Sequence, residues 1–243
     1  MTARKRFYSV VFVEPPSRPR GERVGVRGWS ILLDGQPMRT PAGAPFVLPN
    51  EKMAEAVAEE WRSQGDTIRP ETMLLTKLAN TAIDRVRPNR EVAIAQILGF
   101  ARSDLLCYRA EAPGALVSRQ AATWDPLLDW ARERYGGKLK TASGIGFIEQ
   151  PREALAALER ALAGYDDFAL AGLTAAATLL SSAVLALALA EGRLGADDAF
   201  AAAQLDEIYQ AERWGQDPEA VKQSGRKAEE LSRIARFFEL IRG

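Results

Sequence analysis

The apolar positions keep two different periods along the chain, and the change falls near residue 50. Before it, RFYSVVFVE is rich in aromatic and β-branched residues and stops at Pro15-Pro16, which predicts a strand. Ser17 to Arg23 reads as a loop of proline, glycine and arginine. GWSILLDGQPMRTP predicts a hairpin, with Trp29 and Ile31 on one face and Asp34-Gly35 as its turn. APFVLP, bracketed by Pro45 and Pro49, predicts one more short strand. A small antiparallel sheet with partly proline-protected edges should result.

From Asn50 the period becomes helical. Asn50 predicts an N-cap, and Met53, Val57 and Trp61 recur at helical spacing until Gly65. Leu74, Leu78, Ala82 and Val86 mark a second helix that Pro88 stops, and a third is expected from Arg90 to about Ser103. DLLCYRA is a short strand or linker. A long helix should run from about Ala115 to Tyr135, striped by Trp124, Leu128, Ala131 and Tyr135, with Pro126 either kinking it or starting a new one. After the strand-like KLKTASGIGFIEQP, helices are predicted over 152–164, 167–190, 196–214 and 218–241. In the last, Ala228, Leu231, Ala235 and Phe238 share a face. The fold class is α+β: a small antiparallel β-rich N-terminal domain with flanking helices, residues 1–86, then a larger, mostly α-helical C-terminal domain, residues 87–243.

Composition works mainly by exclusion. The 243 residues contain no histidine and one cysteine, Cys107. A Ser-His-Asp triad or Cys-His dyad lacks its imidazole, and tetrahedral zinc lacks its ligands. No intramolecular disulfide can form, which agrees with a reducing compartment. Carboxylate chemistry, magnesium-assisted chemistry and no chemistry at all remain. Formal net charge is zero, so no global field recruits nucleic acid or an anionic membrane. The opening MTARKRFYSV lacks the apolar core of a secretory signal. Phe168 to Ala190 is uncharged and long enough to span a bilayer, but alanine dominates it, with Gly172, Thr174, Thr178, Ser181 and Ser182 interspersed, and these small or weakly polar residues gain little from transfer to lipid. A buried central helix is expected there, without membrane insertion.

Each candidate constellation has a plain competitor. GGKLKTASGIG lacks both the P-loop and the dinucleotide spacing and reads as a turn into a strand, while Gly21, Gly25 and Gly28 fit loop and hairpin needs. Glu51, Glu55 and Glu59, with Glu60 beside them, read as the solvated face of the first helix rather than a magnesium site. Residues 1–50 carry eight basic against three acidic side chains, which could contact phosphates, but no reader helix or stacking platform accompanies them. QLDEIYQAERWGQDPEA is the richest segment. On a helix, Leu205 and Ile208 face inward with Ala211 as a further inward candidate, Asp206, Tyr209 and Arg213 lie on other sides, and Glu207, Ala211 and Trp214 form a separate stripe. Tryptophan, tyrosine and acids fit a protein-binding hot spot, and an amphipathic helix with a buried tryptophan fits as well. A carboxylate enzyme using Glu207 or Asp125, or a nucleic-acid protein using the N-terminal arginines, are the rival readings.

A succession of segments carries a resemblance over nearly the whole chain: KRFY, LLDGQPMRTP, EEW ending at Trp61, LTKLANTAID, SDLLCYRAEAP, WDPLLDWA and LDEIYQAERWG. In that order they resemble the assembly chaperones for the α subunit of F-type ATP synthase, the ATP-twelve family. The resemblance implies a β-rich domain before a helical one, and a non-enzymatic protein that needs no cofactor. It implies binding of unassembled α subunit; the free protein is separately expected to be a monomer. It also implies a partner-binding role for Asp206, Glu207, Tyr209, Glu212 and Trp214, with Glu219 as a further acidic candidate. With no presequence ahead of Lys5, a bacterial cytoplasm is the expected location.

Overall fold

The computed structural model describes residues 4–16, 28–144, 146–215 and 217–242. They fall into two compact units: the described residues up to Arg90 together with those from Arg236 onward, and residues 91–235. The loop expected from Ser17 to Arg23, and with it Arg18, Arg20, Gly21, Gly25 and Arg27, lies outside the described residues. The class is α+β, with a small antiparallel sheet near the N-terminus and a helical C-terminal region.

In the first unit, β1 (Arg4–Lys5) pairs antiparallel with β6 (Thr67–Ile68). A second sheet joins β2 (Val11–Glu14), β3 (Trp29–Leu33), β4 (Gln36–Pro37) and β5 (Val47–Leu48), with β2, β4 and β5 all antiparallel to β3. Asp34 (φ 49°) and Gly35 (φ 80°) make the β3–β4 turn, both left-handed as a two-residue hairpin requires. RFYSVVFVE is not one strand. Its middle is bent by side chains that claim the backbone. Arg6 donates to the carbonyls of Tyr8 and Gln64 at 3.0 and 2.6 Å, and the Asp34 carboxylate accepts from the amides of Ser9 and Val10 at 2.8–3.1 Å.

Helix α1 (Glu51–Arg62) is capped by Asn50, whose Oδ1 accepts from the Met53 amide at 2.8 Å. Met53, Ala54, Val57 and Ala58 are buried, against β2 and β3 among others. Trp61 is half-buried. Asn50 Nδ2 also donates to the Leu240 carbonyl at 2.8 Å, near the buried Phe237 and Phe238 of the same unit. Glu60 departs from its expected solvated role. Its carboxylate accepts from the amides of Leu75 and Thr76 and from the Thr76 hydroxyl at 2.7–2.8 Å, satisfying orphan donors at the start of α2 (Leu74–Thr81). A π turn over Ala82–Val86 continues α2 toward Pro88.

The second unit contains α3 (Arg90–Arg102, starting at the boundary), a short parallel pair β7 (Tyr108–Arg109) and β8 (Ala142–Ser143), and α4 (Gly114–Tyr135). Pro126 stays inside α4, which neither stops nor restarts there. Trp124 and Ala131 are buried as expected, but Leu127 rather than Leu128 completes the buried stripe. Helices α5 (Arg152–Ala163), α6 (Asp167–Leu180), α7 (Ala183–Ala190), α8 (Ala196–Ala203), α9 (Leu205–Trp214) and α10 (Pro218–Arg242) follow, the residues of α10 from Arg236 onward belonging to the first unit.

Two expected helices are therefore split. The 167–190 segment breaks at Ser181, which takes φ 53°, after which the Ser182 hydroxyl caps α7 by accepting from the Leu185 amide at 3.0 Å. Periodicity could not reveal this, because every residue of α7 is buried and no face is distinguished. The 196–214 segment breaks at Gln204, between α8 and α9. Among the described residues no helix is long and apolar enough to cross a membrane.

The break at Ser181 is held by Asp104, a fully buried carboxylate. It accepts from the Ser182 hydroxyl at 2.7 Å and from the amides of Leu106 and Val184 at 3.1 Å. Burial pushes its carboxyl up to about 6, against these hydrogen bonds, which pull it down. The folded state thus binds this proton more tightly than the unfolded chain does. Stability from the group is greatest at low pH and is lost as pH rises from the ordinary 3.8 to about 6. Asp104→Asn abolishes the titration, so the wild-type-minus-variant unfolding free energy should fall by ~3 kcal/mol across that window. Denaturant titrations at several pH values measure it, and a difference that rises with pH contradicts the assignment. Separately, Glu60→Ala should cost ~2 kcal/mol or more and Glu60→Gln less, because glutamine keeps one acceptor for the α2 amides. Thermal melts of the two variants check the order.

Candidate functional site

The segment singled out in the sequence forms α9, and its side chains divide into those that hold the helix and those that face solvent. Leu205 and Tyr209 are buried, with Tyr209 only 6% exposed, whereas Ile208 is half-buried. Tyr209 thus points inward, contrary to its expected place on another side. Residues four apart share a helix face, so Leu205 carries Tyr209 with it. The Arg213 guanidinium lies 4.4 Å from the centre of the Tyr209 ring and covers it from outside. The Tyr209 hydroxyl is buried without a hydrogen-bond partner among the described residues.

Polar side chains tie α9 to α4. Gln120 is buried and works in two directions: its Nε2 donates to Asp206 Oδ1 at 2.7 Å, and its Oε1 accepts from the Ala110 amide at 2.8 Å. Arg119 Nη1 donates to both oxygens of Glu212 at 2.8 and 3.0 Å. That hydrogen bond is the main reason the Glu212 carboxyl lies below, and the Arg119 guanidinium above, its ordinary range. Trp124 Nε1 donates to the Ala202 carbonyl at 2.9 Å, fixing the end of α8. Asp206 and Glu212 are therefore engaged within the chain. Gln120 and Arg119 went unnoticed in the sequence, since nothing in α4 marks a partner some ninety positions away.

The remaining side chains line an open groove of about 440 Å³ between α8, α9 and the start of α10. Phe200, Ile208, Ala211, Trp214, Ala220 and Val221 form its apolar lining, and among the described residues Glu207 and Asp217 are its only charged lining residues. Trp214 is 78% exposed and Val221 48%. The buried-tryptophan reading of this helix fails, because the chain turns away at Gly215 (φ 86°) directly after Trp214, leaving the indole at the helix end. Glu219 is exposed on α10 and does not line the groove, though its amide donates to the lining residue Asp217 at 3.2 Å.

The arrangement offers surface rather than reacting groups. Glu207 stands exposed in this groove, while Asp125 lines a different one and is paired with Arg109 at 2.8 Å, so the two carboxylates do not converge. Cys107 is buried and its thiol is pushed up to about 12, chiefly by burial. Glu191 gathers Tyr135, Tyr165 and Arg134 within 2.8–2.9 Å, a saturated network at another groove. Among the described residues no three His, Cys, Asp or Glu side chains form a group that could hold a metal ion. Of the N-terminal arginines, Arg6 and Arg39 donate to backbone carbonyls of their own unit.

The ATP12 chaperone protein family matches residues 5–132, more than half of the chain. The chain belongs to the ATP12 chaperone family. The crystal structure of Atp12 from Paracoccus denitrificans superposes with a TM-score of 0.88 at 38% identity, covering 98% of each chain. A lysine-for-aspartate variant of the same Atp12p matches equally, with 98% of this chain and 97% of that one covered. The Atu1473 protein from Agrobacterium tumefaciens is 41% identical with a TM-score of 0.88, over 99% of this chain and 86% of that one. The mitochondrial protein atp12 of Schizosaccharomyces pombe is 27% identical over 197 residues, 76% of this chain and 68% of that protein. The function of this ATP12-family chain is that of an ATP synthase assembly chaperone.

If Gln120 couples α4 to α9, Asp206→Ala and Gln120→Ala should each cost ~1–2 kcal/mol. The double variant should cost clearly less than their sum. Equilibrium unfolding of the four proteins in this cycle provides the check, and strict additivity would disprove the coupling.

Proposed function

We propose that this chaperone binds the unassembled α subunit of the F-type ATP synthase catalytic head, and that the groove along α9 is where it does so. The observation that carries the reading is the exposed indole of Trp214 at the rim of an apolar groove flanked by acids. A large apolar side chain left in water is unfavourable for the free protein, and such anchors dominate the energetics of protein interfaces. Within the six candidate residues the roles divide. Glu207, Trp214 and Glu219 are free to meet a partner; Asp206, Tyr209 and Glu212 hold α9 in position for them.

The protein acts by binding, not by catalysis, as a monomer without a cofactor, in a bacterial cytoplasm. An unassembled subunit presents surface destined for its partner, and a large exposed apolar patch invites aggregation. Covering it lowers the free concentration of the aggregating species by mass action. The arriving β subunit then displaces the chaperone by competition, which suits an interface of ordinary size with a few anchors and a polar rim.

Purified α subunit captured by the immobilised chaperone tests this directly. Trp214→Ala and Glu207→Lys should weaken capture about tenfold or more, a hot-spot effect. Their melting temperatures should stay within a degree or two of wild type, since neither side chain supports the core. Unchanged capture by both variants would remove the groove from the client site.

A further inference from the structure

The first half of α10 is unusual for a helix of a folded protein. Between Asp217 and Glu230 none of its described residues is buried; Ser224 and Ala228 alone are half-buried. A helix exposed on nearly every side gains little from packing. The face it turns to the groove is made of Ala220, Val221 and Ser224. Opposite stand Ile208, Ala211 and Trp214 of α9. The two helices thus present an apolar slot whose volume, about 440 Å³, lies in the usual range for ligand pockets.

Among the described residues, charge lining this slot has one sign. Glu207 and Asp217 are its charged lining residues, and Glu219, which does not line it, adds a third acid. Neither Glu207 nor Glu219 has a side-chain hydrogen bond or ion pair among the described residues; Asp217 Oδ1 accepts from the Glu219 amide at 3.2 Å. The nearby cations face other duties or directions: Arg213 covers the Tyr209 ring, and Lys222 is exposed but does not line the slot. The carbonyl end of α9 also terminates here at Gly215, with Arg213 in its last turn, and a helix C-terminus favours positive charge. The opposite pole, at the start of α10, is already balanced by Asp217 and Glu219.

We propose that the α9–α10 slot takes an amphipathic polypeptide segment that inserts one large apolar side chain beside Trp214 and Val221 and sets flanking lysine or arginine residues against Glu207 and Asp217. This rests on the reading of the groove as the client site and adds the chemistry of its occupant. Apolar contact supplies the anchor, and the acids select for cationic neighbours and reject acidic ones. Basic-flanked apolar segments are therefore the part of a client that this slot recognises.

Short labelled synthetic peptides test the proposal by fluorescence anisotropy with the full chain. One carries a leucine-anchored amphipathic pattern flanked by lysines; a second replaces the lysines with glutamates; a third replaces the leucine with serine. The lysine peptide should bind, and the other two should bind at least about tenfold more weakly. Trp214→Ala and Val221→Asp should each weaken the lysine peptide by a similar factor, and Glu207→Lys should narrow or reverse the preference over the glutamate peptide. Indifference to peptide charge, binding untouched by both Trp214→Ala and Val221→Asp, or no binding of any peptide at millimolar concentration would overturn it. Capture of α subunit by the same variants separates the two readings. Capture lost while peptides bind without charge preference rejects only the occupant's chemistry. Capture intact in Trp214→Ala with the peptide pattern as expected rejects only the α subunit as the slot's client.

Discussion

A carboxylate shut away from water organises the helical unit. Asp104 sits at the exit of α3, where its two oxygens collect a hydroxyl and two amides from segments some eighty positions apart. Burying a carboxylate is costly unless its lone pairs are satisfied, so the geometry that satisfies them is strongly selected over alternatives. That geometry demands a chain break at Ser181 and a helix start at Ser182. The apolar segment 168–190 is consequently folded into α6 and α7, packed on each other, instead of one long rod. The same logic appears in the first unit, where Glu60 caps α2 and Asp34 bends the chain before β2. In both units a small number of acids, each saturated by amides, decide where regular elements begin.

The candidate site inverts that economy. On α9 the polar residues that matter for position, Asp206 and Glu212, are tied to α4 by Gln120 and Arg119, while Glu207 and Trp214 have no polar partner among the described residues. A hydrogen-bonded support beneath an uncommitted surface suits recognition, because pre-ordering reduces the entropy lost on binding. Membership of the ATP12 chaperone family places this surface in a protein whose work is assembly. The exposed opening of α10 beside it fits the same purpose: a helix that has not spent its apolar contacts internally can offer them to a partner.

Much of this was legible in the residues. The hairpin at Asp34-Gly35, the Asn50 cap and the helices ending at Pro88 and Tyr135 follow from turn chemistry, capping and period, which act over a few neighbouring positions. The segment that forms α9 stood out by composition alone. Its internal division did not. Tyr209 and Trp214 are similar aromatic candidates on one helix, yet one is 6% exposed and the other 78%. Only the packing of α8 and α4 against the Leu205–Tyr209 face, and the turn at Gly215, separate them.

The chain's amino acids by themselves therefore determined the order and type of most elements, the lack of any imidazole chemistry and the family, because each depends on local pattern or on inventory. The folded arrangement decided which acids became structural, where two long helices broke and which tryptophan faced water. Those outcomes depend on hydrogen bonds and contacts between residues far apart in the chain, and local period carries no record of such partners.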